Sequence, residues 1–259
     1  MPVNVVMSGG GRFFLAEAGA LQGILEAGWG VSGVAGTSAG GLVALAYAVG
    51  KSTDLKKNAL SVVPLRLSRS FWPFSYPPGV YTGKGIKKTL KRLLRPTLGE
   101  SRIPVAVVCA NVSTRRQEVL SSWSTPDASS VLSAYSTMAV PGVFYPQEWP
   151  QGVLVDGGIT SNFALDDIKF PNRFGTIGIR IDYPQERDDP KSTRGFLSSV
   201  VDTAIRANVE EDELDSKRIS ILRIKVQGDS LDFDISRREA VMLFESGRIQ
   251  ALKWASSLA

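Results

Sequence analysis

Residues 31–50 read Val31-Ser32-Gly33-Val34-Ala35-Gly36-Thr37-Ser38-Ala39-Gly40-Gly41-Leu42-Val43-Ala44-Leu45-Ala46-Tyr47-Ala48-Val49-Gly50. At the centre, Gly36-Thr37-Ser38-Ala39-Gly40 is a G-x-S-x-G pentapeptide between a short β-branched run and a run of helix formers. A strand, a sharp turn and a helix would lift Ser38 onto a strained elbow, its hydroxyl exposed above the sheet edge. Glycines on either side leave room for the close turn and for an approaching substrate. At average glycine and serine usage the bare pattern arises by chance at about one position in 3,000. Its meaning therefore depends on the rest of the chain.

Immediately upstream, Val3–Met7 is β-rich and reads as a first, buried strand. It runs into Ser8-Gly9-Gly10-Gly11-Arg12, and then Phe13–Ala27 places Phe14, Ala18, Leu21 and Leu25 on one helical face, with Gly28 as the stop. Strand, glycine loop, helix, strand, elbow, helix is the rhythm of a parallel α/β sheet, with sites expected at the carboxyl ends of its strands. Three consecutive glycines at such a place supply backbone N–H groups that can converge on an anion or on the oxyanion of acyl transfer. A dinucleotide site does not fit. Phe14 stands where its fingerprint needs glycine, and the literal G-x-G-x-x-G at Gly28–Gly33 follows a helix and enters a strand, the reverse of the required order.

The chain of 259 residues has 43% hydrophobic and 21% charged residues, and it reads as one α/β domain over residues 1–259. It contains no histidine and one cysteine. A Ser-His-Asp triad, a Cys-His dyad and histidine-containing zinc sites are thereby excluded. No serine has lysine three residues later, so an S-x-x-K mechanism fails as well. If Ser38 is a nucleophile, a carboxylate is left as its base. Cys109, inside the apolar run Val105–Ala110, reads as a small buried hydrophobe. No metal or other cofactor is called for.

A net charge of +5 and a pI near 9.3 suit a mildly basic enzyme or one drawn to an anionic surface. Lys84–Arg95 carries Ile86, Leu90, Leu93 and Leu94 on one helical face and five further basic residues on the rest, which fits a solvated surface helix or a membrane-surface one. The aromatic, proline-broken stretch Phe71–Pro78 is either a lid or interfacial anchor over Phe71–Tyr76, or a cap on the core. The amino terminus shows no secretory signal, and the uncharged residues 27–50 are too interrupted by glycine for a membrane span. The expected location is cytoplasmic or peripheral at a membrane surface.

Further along, Ser52–Val62 reads as a short helix and Ile103–Val112 as a buried strand. Thr125-Pro126-Asp127 looks like the start of a helix running to about Met138. After Val153-Leu154-Val155 comes Asp156-Gly157-Gly158, an acid at a strand's carboxyl end, placed either to reach a site shared with Ser38 or to close an Asp-Gly turn on its own backbone. Strands follow at Thr176–Ile181 and Ile219–Val226, a charged loop at Gln185–Lys191 and a polar-faced helix at Arg206–Arg218. Ser236-Arg237-Arg238-Glu239 is a capping box for a last helix running to about Ala255.

Together, the glycine loop after the first strand, G-x-S-x-G on an elbow, Ser136–Phe144 (STMAVPGVF) and D-G-G near the middle of the chain resemble the patatin-like phospholipases over roughly residues 3–165. The resemblance implies a three-layer α/β/α fold with a mainly parallel central sheet. It also implies a Ser-Asp dyad that uses no histidine: Ser38 as nucleophile, Asp156 as base, and Gly9, Gly10 and Gly11 as oxyanion donors, joined by the N–H of Ala39. Implied too are a lipid or membrane-surface substrate, calcium independence and no nucleic-acid partner. A carboxylesterase of small esters and a non-catalytic lipid- or phosphate-binding module are the rival readings. The chain departs from the family pattern in three places. Arg12 follows the third glycine directly, either orienting the oxyanion loop, binding phosphate or simply exposed. The first helix lacks a histidine, and Asn162-Phe163-Ala164 replaces N-x-P.

Overall fold

A computed structural model describes residues 2–63, 81–182, 199–200, 203–204, 207, 220–228, 230 and 234–258. The aromatic stretch at 71–78, the charged loop at 185–191 and most of the helix expected at 206–218 lie outside the described residues. Within them the chain forms β1 (Pro2–Met7), α1 (Phe14–Glu26), β2 (Gly30–Thr37), α2 (Ser38–Ala48), α3 (Leu55–Val62), α4 (Lys84–Leu93), β3 (Val105–Asn111) and β4 (Arg116–Ser121). There follow α5 (Ser130–Thr137), β5 (Gln147–Trp149), β6 (Gly152–Asp156), β7 (Gly175–Asp182), β8 (Ser220–Lys225) and α6 (Arg237–Ser256).

Alternation along the strands divides the core. Val3, Val5 and Met7 of β1 and Val105, Val107 and Cys109 of β3 face the larger core, with residues from each of the helices α1 to α6. Val6, Ala106 and Val108 face the other way, against Phe163, Leu165 and Ile168. The architecture is the three-layer α/β/α one. Five parallel strands, in the order β3-β2-β1-β7-β8, make the centre of the sheet. At one end β4, β5 and β6 add antiparallel pairings, which make the sheet mixed.

One detail of that register positions the site. β4 occupies a whole edge of β3, from Ala106 to Asn111. The opposite edge is shared: β2 pairs Thr37 with Val108, and β6, running the other way, pairs Asp156 with Cys109. The carboxyl ends of β2 and β6 thus meet head to head along β3, and residues 118 positions apart become neighbours.

The helix expected from Thr125 starts later. Thr125 Oγ1 accepts from the Ser121 N–H (2.9 Å) and donates to the Ser121 carbonyl (3.1 Å), closing a turn after β4. Ser129 is the cap instead, its hydroxyl accepting from Leu132 N–H. At the last helix Ser236 caps as expected, accepting from Glu239 N–H at 3.1 Å. α6 packs along α1 at close range: a Cβ on Gly247 would lie 1.9 Å from the Ala16 carbonyl oxygen.

Candidate active site

β2 ends at Thr37 in extended backbone, and the next residue, Ser38, turns into α2 with φ +51°. A non-glycine residue in the left-handed region is strained by roughly 1–3 kcal/mol and persists where its surroundings over-determine it. Here they do. The Ser38 N–H donates to Thr137 Oγ1 (2.9 Å), which itself donates to the Val108 carbonyl (2.6 Å), tying the elbow to α5 and β3. Thr37 Oγ1 donates to the Ser161 carbonyl (3.0 Å), and Gly40 N–H to the Ser8 carbonyl (3.1 Å).

Ser38 Oγ donates to Asp156 Oδ2 at 2.6 Å, a short hydrogen bond to a buried carboxyl. The other oxygen, Oδ1, accepts from Gly158 N–H at 2.8 Å. Both readings of Asp156-Gly157-Gly158 therefore hold at once, the turn onto the backbone and the reach to Ser38. Burial pushes the Asp156 carboxyl up to about 7, against the Ser38 and Gly158 hydrogen bonds that pull it down. A carboxylate with that value is half ionised near neutrality, where a general base is most useful. Cys109, beside it on β3, is fully buried and its thiol is pushed well up by burial, as suits a hydrophobe in the core.

The glycine loop lies against Ser38: a Cβ on Gly9 would be 3.3 Å from the Ser38 Cβ. Of the three glycine N–H groups, that of Gly9 is given to the Asn162 carbonyl (2.9 Å). Among the described residues those of Gly10 and Gly11 go to no protein acceptor. Ala39 lies in the first turn of α2, where N–H groups have no intrahelical partner. Gly11 has φ +54°, and a Cβ there would lie 2.1 Å from the Ser230 carbonyl oxygen. Arg12 follows with its N–H on that same carbonyl (2.8 Å) and its buried guanidinium 3.3 Å from Glu239 Oε1 at the start of α6. Its side chain thus ties the loop to the carboxyl-terminal part of the chain.

Thr137, Gly158, Asn162 and Ser8 support these groups; all four lie in segments quoted from the sequence, but none was given a supporting role there. Gly158 carried a local signal through the Asp-Gly turn, and Thr137 and Asn162 lay in segments compared with the family pattern. Within the basic segment 84–95 the helix α4 ends at Leu93, with Ile86 and Leu90 buried on it and Leu94 buried just beyond its end. Lys84, Lys88, Lys91 and Arg92 are exposed, whereas the Lys87 ammonium lies 4.1 Å from the centre of the Tyr135 ring and donates to Gln147. Among the described residues no helix is long and apolar enough to cross a membrane.

Against known proteins, the model of one family, described as patatin-like phospholipase, matches residues 5–168. An uncharacterized protein of Acanthamoeba polyphaga mimivirus is 23% identical over 94% of this chain and 90% of its own length. An uncharacterized NTE family protein of Mycobacterium tuberculosis is 25% identical over 77% of this chain, and the match spans only 55% of that relative. The fold is similar to that of VipD from Legionella pneumophila, with a TM-score of 0.63 at 16% identity, covering 98% of this chain and 67% of that one.

Proposed function

This chain belongs to the patatin-like phospholipase family, and we propose that it is a lipid acyl hydrolase working through a Ser38–Asp156 dyad. The observation that carries this reading is the 2.6 Å hydrogen bond from Ser38 to a buried carboxyl whose proton affinity lies near neutrality. In the proposed reaction Asp156 takes the Ser38 proton as Oγ attacks the ester carbonyl. The carbonyl π electrons move onto its oxygen, which the N–H groups of Gly10, Gly11 and Ala39 stabilise. Collapse expels the alcohol, which leaves with the proton held by Asp156. Water then attacks the acyl-serine, giving its proton to Asp156, and collapse returns Ser38 with its proton and releases the fatty acid. Such donors are each worth roughly 10²–10³ in turnover. Gly9 lets the loop approach Ser38, and Arg12 acts as a strut. The exposed cations of α4 support a substrate presented at an anionic lipid surface.

The test combines a fluorophosphonate probe with mass spectrometry of products from mixed lipid vesicles. Wild-type protein is expected to be labelled at Ser38 and to release fatty acids, and Ser38→Ala to do neither. Folded wild-type protein that takes no label and releases nothing would exclude the dyad and leave a binding module. Label without lipid products, together with turnover of small soluble esters, would favour a carboxylesterase.

A further inference from the structure

Glu17 of α1 is completely buried, yet neither of its carboxyl oxygens accepts a hydrogen bond among the described residues. The polar side chain that meets them is the Ser8 hydroxyl, at the end of β1. That hydroxyl is already engaged twice. It gives its single proton to the Gly9 carbonyl (3.1 Å), and it accepts from Ile181 N–H (3.0 Å). With its proton spent, Ser8 can bond to the carboxyl only as an acceptor, and then the carboxyl must bring the proton. Burial, opposed only by the Ser8 contact, holds Glu17 well above the usual carboxylate range. The neutral acid is the form that fits.

The direction of this chain of hydrogen bonds matters. A protonated Glu17 would donate its O–H to Ser8 Oγ, as the Ser8 O–H donates to the Gly9 carbonyl (3.1 Å), each bond polarising the next. The Gly9 carbonyl and the Gly10 N–H belong to one planar trans peptide and point to opposite sides. Holding the carbonyl back toward Ser8 aims the Gly10 N–H away from it, and among the described residues that N–H is given to no protein acceptor. We propose that Glu17 is a positioning residue for the oxyanion loop, acting through Ser8 to fix the Gly9–Gly10 peptide. The inference rests on the Ser38 hydrolase reading.

A buried acid with one hydrogen bond stabilises a fold less than a hydrocarbon of the same shape, so a positioning role and a structural role predict different outcomes. Glu17→Met keeps length and volume. With p-nitrophenyl butyrate as substrate it is expected to lose about 10-fold or more in kcat, with KM within about 2-fold and a melting temperature equal to or above wild type. Fluorophosphonate labelling of Ser38 should slow in parallel. Glu17→Gln, whose amide N–H can donate to Ser8, should return most of the rate. Ser8→Ala should show the same kcat loss, and adding Glu17→Met to it should cost little more, since both break one chain. Wild-type kcat in Glu17→Met overturns the inference, and so does a loss that Gln does not relieve. Should Glu17→Met fail to fold, wild-type kcat in Ser8→Ala overturns it. The outcomes for the two proposals separate: wild type that labels at Ser38 while Glu17→Met labels just as fast sinks the positioning role alone. Wild type that never labels sinks the dyad and this role with it.

Discussion

On one flank of Ser38, Asp156 stands at the end of β6, held by strand pairing to Cys109 and by a turn within its own Asp-Gly-Gly segment. On the other flank, the Gly9–Gly11 loop has no strand partner beyond Ser8 and is held by distant segments: the Asn162 carbonyl, the Ser230 carbonyl and Glu239. Each flank also buries one carboxyl. Asp156 has two hydrogen-bonding partners and is pushed up only to about 7, whereas burial takes Glu17, whose carboxyl oxygens accept no hydrogen bond among the described residues, well above its ordinary range. Burial raises both, and hydrogen-bond donors favour ionisation. A base needs that ionisation. An oxyanion loop needs fixed N–H groups, and a neutral acid suffices to hold them.

The largest effect is expected for Asp156→Asn. A neutral amide keeps the Gly158 and Ser38 contacts within reach but cannot take a proton, so turnover should fall by about 10³-fold or more. In wild type, kcat/KM should rise with pH along a single ionisation near 7, because the ionised base is the active form. Stability should run the opposite way. The folded-state value lies above the ordinary 3.8, so the folded protein holds this proton more tightly than the unfolded chain. The resulting stabilisation is complete below about pH 4 and is lost as pH rises through about 7. Asp156→Asn should therefore melt several degrees higher than wild type at pH 8, with the gain gone at pH 4. A stable variant with near-normal turnover would remove Asp156 from the chemistry.

How much of this was legible in the sequence follows the same division. The elbow at Ser38, the glycine loop after β1 and Asp156 at a strand's end could be read because each is announced by its immediate neighbours. The strand–turn–helix context and the lack of histidine narrowed the base to a carboxylate. The head-to-head meeting of β2 and β6 on one edge of β3 could not be read, since antiparallel β4, β5 and β6 follow a parallel rhythm without a distinct local pattern. Nor could the fastenings of the loop. Asn162 and Ser230 act through backbone carbonyls, which every residue has, so no side-chain type marks them. Glu239 was read as the partner of its own helix's cap, and it also pairs with Arg12, 227 positions away. Glu17 did carry a signal, a lone acid in the apolar run Phe13–Leu21, and burial on all sides of α1 is what gives it meaning.

Gly11→Ala tests the loop flank next. The new Cβ would meet the Ser230 carbonyl oxygen at 2.1 Å in a backbone region that side chains avoid, so the loop must shift. Stability should drop by about 1–3 kcal/mol in urea unfolding, and kcat by roughly 10–10²-fold. The pH midpoint of kcat/KM should stay where it is, because Asp156 and its partners are untouched. A moved midpoint would mean that the two flanks are coupled rather than independently held.

The smallest effect belongs to the outermost fastening. Glu239 is 42% exposed at its side chain and reaches Arg12 at 3.3 Å, so its attraction is largely screened by solvent. Glu239→Gln keeps the shape, and Ser236 still caps α6 through a backbone N–H that the change does not touch. The expected loss is about 1 kcal/mol or less in stability and less than about 3-fold in kcat, with the difference from wild type shrinking as salt is raised. Arg12 explains why any kinetic effect is expected: its backbone N–H and the Gly11 turn share the Ser230 carbonyl, so a loosened guanidinium acts on the loop through one residue. A salt-independent loss as large as that of Gly11→Ala would show instead that the pair, and not the Ser230 carbonyl, holds this flank of Ser38.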